Sequence, residues 1–179
     1  MVDQDHDIIR RVQAGERKAY EMIVAKYHDP IFNLALRLVG DYDNAVDITQ
    51  QSFVAAYEKL NQYNPSYRFF GWLYRIAYNG ALKHIQLSKR NVDLDHDLRS
   101  ERATPEEDAL RSEQEQFIRR GLQGMEFEYR VVLVMKHFQG LSYREIVEIL
   151  EISESTLKYR LYRARKMMRE QLEKLGYLA

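Results

Sequence analysis

Tyr67, Arg68, Arg75, Asn79 and Lys83 place a ring, an amide and three cations within seventeen residues. Rings stack on planar ligands, cations neutralise phosphate, and an amide reads hydrogen-bonding edges. The surroundings reinforce that chemistry: Tyr63 to Tyr78 holds seven of the chain's twenty-one aromatics, and from Lys59 to Val92 there are six Lys or Arg and no Asp or Glu. Stacking an unpaired base on an aromatic side chain is worth about 1–3 kcal/mol. That approaches the few kcal/mol needed to extrude a base from a duplex, so one or two captured bases together with neutralised phosphates would tip a weak duplex open.

A second constellation lies near the C-terminus. Between Ser153 and Arg169 there are six bases (Lys158, Arg160, Arg163, Arg165, Lys166, Arg169) and one acid, Glu154. The preceding residues have helix-turn-helix logic. Ser142 with Glu145 forms a capping box, and Ile146, Ile149 and Leu150 face inward, with Ile152 filling the corner. Ser153 caps a second helix whose inward residues are Thr156 or Leu157, Leu161 and Ala164. Such a helix enters the major groove with its N-terminal side chains on base edges. The candidates for duplex contact are Ser155, Thr156, Lys158, Tyr159, Arg160, Tyr162 and Arg163, the later arginines mainly holding phosphates. Glu151 occupies the turn position usually taken by Gly, at a cost on the order of 1 kcal/mol if its backbone is left-handed.

Other chemistries find no support. The five histidines (His6, His28, His84, His96, His137) are scattered without ligand spacing. No metal site, no cofactor and no enzymatic activity are expected. Zero cysteines exclude disulfides and thiolate metal sites. No apolar run approaches membrane-spanning length, and the charged start MVDQDHDIIRRVQAGE lacks the apolar core of an export signal. The expectation is a soluble cytoplasmic protein. Net charge is zero, so partners must be read from local charge rather than from its sum.

These side chains need helices to position them. Three- and four-residue apolar spacing predicts helices over Asp3 to Ala14 and Ala19 to Gly40, the second kinked or divided by Pro30. A third, capped by Asp43, runs to the Asn64-Pro65 turn signal. A fourth runs from about Tyr67 to Arg90. On it Phe69, Trp72, Leu73, Ile76 and Ala77 form a core face, while Phe70, Tyr74 and Tyr78 form a separate stripe beside Arg75, Asn79 and Lys83. Asn91 to Phe117 holds nine acids and three bases, and its first half reads as a linker. Thr104-Pro105 resembles a helix start, and further helices follow over 126–138, 142–150 and 153–175. The fold class is all-α: two small helical domains, 1–90 and 105–179, joined by an acidic linker at 91–104.

WLYRIAYNGALKHI, preceded by DNAVDITQQSFVAAYEKL and followed by the basic helix-turn-helix, resembles the extracytoplasmic-function (group 4) sigma factors of bacterial RNA polymerase. The resemblance spans about Gly15 to Leu172. It implies a region 2 helical bundle and a region 4 helix-turn-helix, and hence promoter-specific transcription initiation with reading of −10 and −35 elements. By the same resemblance, Asn64, Ser66, Tyr67 and Arg68 would hold a flipped −10 base, while Arg75, Asn79 and Lys83 would follow the opened strand; residues 155–163 would read the −35 element. Asp43, Asp47, Gln50, Gln51 and Val54, with Glu58, face away from the inward set Ala45, Ile48, Phe53, Ala56 and Leu60. They would dock the β′ clamp of core polymerase, where β is also a partner. Val46 and Gln51 stand where the family commonly has acids, which weakens attraction to a basic clamp. An anti-sigma factor is a further implied partner. Two alternatives stay open: a sigma-like mimic that sequesters an anti-sigma factor without reading DNA, and an ordinary helix-turn-helix regulator.

Overall fold

The computed structural model describes residues 4–94 and 113–177. Among these the chain forms eight α-helices and no strand. The first four are α1 (Gln4–Gln13), α2 (Tyr20–Val39), α3 (Tyr42–Glu58) and α4 (Phe69–Leu94). The second four are α5 (Glu113–Gln123), α6 (Phe127–Leu133, continued by a π-type turn over Val134–Phe138), α7 (Tyr143–Leu150) and α8 (Glu154–Lys174). The expected helix start at Thr104-Pro105 and most of the expected linker lie outside the described residues; α4 runs four residues beyond its expected end at Arg90.

The first group packs around α2. Its Ile23, Tyr27, Ile31, Leu34, Ala35 and Leu38 recur at three- and four-residue steps and are buried, as the periodicity predicts. Of the two outcomes expected at Pro30, a kink or a division, division does not occur: α2 runs through it. It forfeits one backbone hydrogen bond, but Ile31, Leu34 and Leu38 beyond it are all fully buried, and that burial outweighs the loss. Gly40 ends α2 at φ +78°, and its amide bonds Leu36 O at 2.8 Å. A side chain there would be strained and would collide with Gln123.

Asp41, not Asp43, caps α3, its carboxylate accepting from the Asn44 amide at 2.9 Å. The cap bond must reach an amide of the first turn, and Asp43 already lies within that turn. There it favours the helix N-terminus as a charge. The face that α3 buries is made largely of small residues: Ala45, Thr49, Ser52 and Ala56, with Ile48 and Phe53. Thr49 and Ser52 return their hydroxyls to Ala45 O at 2.7 Å and Ile48 O at 2.6 Å, so neither brings an unsatisfied polar atom into the core. The helix therefore lies close against α2 and α4. At the other edge, buried Asp5 of α1 accepts from Tyr27 and pairs with Lys26 at 2.6 Å, tying α1 to α2.

The second group is a helix-turn-helix braced by α5 and α6. Ser142 and Glu145 form the full capping box of α7, and Ser153 caps α8 by accepting from the Thr156 amide. Leu157 rather than Thr156 is the inward residue, with Leu161 and Ala164. Ile146 and Ile149 are buried, whereas Leu150 and Ile152 are half-buried. Glu151 is left-handed, φ 53°, the only non-glycine residue with positive φ among the described residues.

The two groups share one continuous hydrophobic core. The Phe70, Tyr74, Tyr78 stripe of α4 lies along their boundary. Tyr74 is buried and donates to Gln139 Oε1 at 2.8 Å, and burial raises its phenol pKa. Tyr78 stacks on Phe127 at 5.9 Å. Arg130 is the polar bolt. Its guanidinium donates to Leu38 O at the end of α2, to Gln123 O at 3.1 Å, to Met125 O at 2.9 Å and to Gln123 Oε1 at 2.7 Å. Burial lowers its pKa to about 10, which leaves it charged at neutral pH.

Candidate nucleic-acid interface

The turn before α4 is held from beneath. Asn64 Oδ1 accepts from the Ser66 amide at 2.9 Å, and the Tyr67 amide donates to Asn64 O at 3.1 Å, closing a tight turn. The buried Tyr63 hydroxyl donates to Tyr67 O and meets His6 Nε2 at 2.9 Å. With its backbone fixed, Tyr67 turns a ring that is 62% exposed to solvent. Asn64, Ser66 and Arg68 are exposed beside it.

A cavity of about 550 Å³ opens at this turn. Tyr63, Asn64, Tyr67, Arg68, Phe70, Trp72 and Arg75 form one wall. Trp72 is half-buried rather than core, leaning on Tyr63 at 5.5 Å and on Phe69 at 5.6 Å. The 3.6-residue period identifies its face of α4 correctly but not its depth: Phe69, Leu73 and Ala77 lie at the centre of that face and are buried, while Trp72 and Ile76 flank it. Asn79 and Lys83 are exposed further along α4. Rings, amide and cations thus line one edge of the helix.

The other wall belongs to the second group of helices: Glu145, Val147, Glu148, Ile149, Glu151 and Ile152. Arg68 Nη1 meets Glu145 Oε1 at 3.3 Å, and Arg75 reaches Glu151 Oε1 at 2.5 Å and the Glu148 carbonyl. Burial alone would raise the Glu145 carboxyl, but the Ser142 hydroxyl and amide together with Arg68 hold it below its usual value. The sequence reading missed this wall. Its signal was Glu145, Glu148 and Glu151 at three-residue spacing just before the basic stretch 153–169.

On α8, Ser155, Lys158, Tyr159, Tyr162 and Arg163 are exposed, the two rings at 58% and 68%. Lys158 pairs with Glu154 at 2.6 Å, and that contact raises its pKa. Thr156 is half-buried at the cap. Arg160 differs from its neighbours: it binds Glu128 at 2.7 Å and braces α8 against α6. On α3, Asp43, Asp47, Gln50, Gln51 and Val54 are all exposed, Val54 at 57%. Among the described residues no group of His, Cys, Asp and Glu could hold a metal ion, and no helix is long and apolar enough to cross a membrane.

Residues 23–91 match the family described as Sigma-70 region 2, and residues 118–168 match Sigma-70, region 4. The chain is 32% identical to the RNA polymerase sigma-H factor of Pseudomonas aeruginosa, covering 97% of this chain and 96% of that protein. It is also 32% identical to the ECF RNA polymerase sigma factor SigW of Bacillus subtilis, covering 93% of this chain and 96% of the relative. In fold it resembles CnrH from its complex with the cytosolic domain of CnrY, with TM-score 0.72, 24% identity and coverage of 95% of this chain and 97% of that one. It also resembles the sigma factor RpoE of Bartonella quintana, solved with the anti-sigma factor NepR, with TM-score 0.71, 19% identity and coverage of 87% and 98%.

Proposed function

This chain belongs to the extracytoplasmic-function sigma factors of the sigma-70 family, and from that premise we propose how its residues divide the work of promoter-specific transcription initiation. The first domain, 1–90, docks core polymerase and opens the −10 region; the second, 105–179, reads the −35 element. The observation that carries this reading is the fixed turn at Asn64 to Arg68, with an exposed Tyr67 ring on a buried scaffold and no acid from Lys59 to Val92. A base flipped from the −10 element stacks at Tyr67 and is bounded by Asn64, Ser66 and Arg68. Arg75, Asn79 and Lys83 take the phosphates of the displaced strand. Ser155, Thr156, Lys158, Tyr159 and Tyr162 read the −35 duplex, and Arg163 with Arg160 holds its backbone. A mimic that only sequesters an anti-sigma factor has no need of the exposed cations and rings on α8. An anti-sigma partner suits this chain too, since the fold relatives CnrH and RpoE were solved with protein partners.

Run-off transcription from a genomic fragment library, with core polymerase and with or without the protein, tests the reading. A promoter-specific transcript that depends on the protein is expected; its absence rejects the assignment.

Two substitutions separate the surfaces. Asp47→Arg reverses a charge at the centre of the exposed face of α3. It should abolish binding to core polymerase and leave duplex affinity unchanged, because distant sites behave additively. Wild-type polymerase binding by that variant removes the docking assignment. Arg163→Ala should lower the slope of log K against log salt by about 0.9, the share of one phosphate. Arg160→Ala should act partly through stability, since Glu128 already engages its guanidinium.

A further inference from the structure

His137 is the one histidine between Glu113 and Tyr177, and no role described above uses it. It stands in the π-type turn that ends α6, which the Gln139 amide closes on Val134 O at 3.1 Å. Such turns are frequent at functional sites. Here Val134 and Met135 stay buried while Lys136 is half-buried and His137 is exposed. Lys136 is fixed from two sides: its Nζ donates to Leu141 O at 3.1 Å and lies 5.3 Å over the Tyr143 ring. Across from it, Arg165 of α8 donates through Nε to His137 Nε2 at 3.4 Å. Lys158, Arg160, Lys166 and Arg169 of the same helix each have a carboxylate partner. Among the described residues Arg165 has none and leans on an imidazole instead. A guanidinium bonds an anion about twice as strongly as a neutral acceptor, so this contact is one that an anion improves.

We propose that His137 is a proton-linked phosphate ligand of the duplex that α8 reads: a backbone phosphate takes the Arg165 guanidinium from the imidazole, which gains a proton from solvent and donates to the same phosphate. The inference rests on the proposed assignment of α8 to the −35 duplex. Lys158, Tyr162 and Arg165 follow one edge of that helix at three- and four-residue steps. Arg165 lies about 10 Å beyond Lys158 along the axis, and a major groove is about 12 Å wide. With Lys158 at the bases, Arg165 and His137 therefore stand at the backbone rim. The charged and titratable groups that the surrounding elements bring to this turn are Lys136 of the turn itself, Tyr143 of α7, Arg165 of α8 and, from α2, Arg37 over the Phe138 ring. Partial desolvation, then Arg165 and Lys136, hold the free imidazole below its ordinary value, so it is neutral at neutral pH and accepts from Arg165. A phosphate reverses the sign, because an opposite charge favours the charged form. The complex therefore holds this proton more tightly than the free protein does. Duplex affinity rises as pH falls through the bound-state value and levels off below the free-state value.

The test uses the full chain and a labelled duplex of random sequence, since a phosphate contact needs no particular base. The His137 imidazole resonance, identified by its loss in His137→Gln, should titrate below the ordinary histidine value of about 6.5 in the free protein and at a higher pH with duplex bound. Between about pH 8 and about pH 5.5, affinity should rise about tenfold for each unit separating the two midpoints. Over the same range the slope of log K against log salt should steepen by about 0.9, the share of one more phosphate. His137→Gln should lose both effects, and His137→Lys, charged throughout, should keep the higher affinity at every pH. Equal midpoints in free and bound protein overturn the proposal, as does an unchanged pH dependence in His137→Gln. Inorganic phosphate that raises the midpoint as far as the duplex does makes this a small-anion site and overturns the assignment to duplex. Duplex binding that is flat in pH removes this ligand alone and leaves the reading of α8 standing; absence of duplex binding removes both.

Discussion

Phe69→Ala should yield a protein that initiates from no template, including one supplied with its −10 region already open. The ring is fully buried between Tyr63 at 5.5 Å, Trp72 at 5.6 Å and Tyr27 at 6.2 Å. Truncating such a ring costs about 3–5 kcal/mol, a large part of the roughly 5–15 kcal/mol that holds a domain folded. The comparison that gives this result meaning is with Tyr67→Ala, Asn79→Ala and Lys83→Ala, all exposed. These should fold normally, bind the promoter, and fail to make its −10 thymines reactive to permanganate. A pre-melted bubble should restore most of their transcription. Trp72→Ala should fall between, because its ring is half-buried on the cavity wall. Rescue of Phe69→Ala by the bubble, or normal melting by Asn79→Ala and Lys83→Ala, contradicts the division into scaffold and strand-binding surface.

Arg130→Met is expected to have the next largest effect. The substitution keeps an unbranched apolar stem and removes the donors serving the carbonyls of Leu38, Gln123 and Met125 and the Gln123 side chain. A buried acceptor left without its partner costs about 1–3 kcal/mol. The effect should appear as a fall in melting temperature on the order of 10 °C, since about 1 kcal/mol shifts a small domain by 4–8 °C. Arg130→Lys should recover only part of it, because an ammonium cannot reach four acceptors in the plane of a guanidinium. A melting temperature unchanged in Arg130→Met would mean that water replaces the network at no cost.

Local rules carry far in this chain, and their failures share a cause. The Ser142–Glu145 capping box, the Ser153 cap and the buried stripe of α2 are set by residues within one or two turns, so spacing alone finds them. Family resemblance adds the order of the two domains, which the matches at 23–91 and 118–168 bear out. What spacing does not find is which helix lies against which. Tyr74 shares a stripe with Phe70 and Tyr78, and nothing local says that Gln139, sixty-five residues away, covers it. Arg130 reads as one more surface base until Leu38 O arrives from ninety-two residues upstream. At Pro30 local rules leave a kink and a division equally open, and what keeps the helix continuous is burial of the residues beyond it by other elements. The exposed residues proposed for DNA and polymerase contact are legible because they bear chemistry the core does not use.

The small-residue underside of α3 has a consequence for how such a protein changes over generations. Ala45, Thr49, Ser52 and Ala56 touch no partner, yet their size sets how high the helix rides above α2 and α4. Enlarging one of them moves Asp47, Gln50, Gln51 and Val54 together, as a rigid body, without altering any of them. If this face docks the polymerase as proposed, divergence in partner choice has two routes here. One rewrites the exposed letters, as Gln51 illustrates. The other lifts or tilts the whole face from below, silently to any comparison restricted to surface positions. Lineages that drift by the second route keep the same outward residues and lose the same partner.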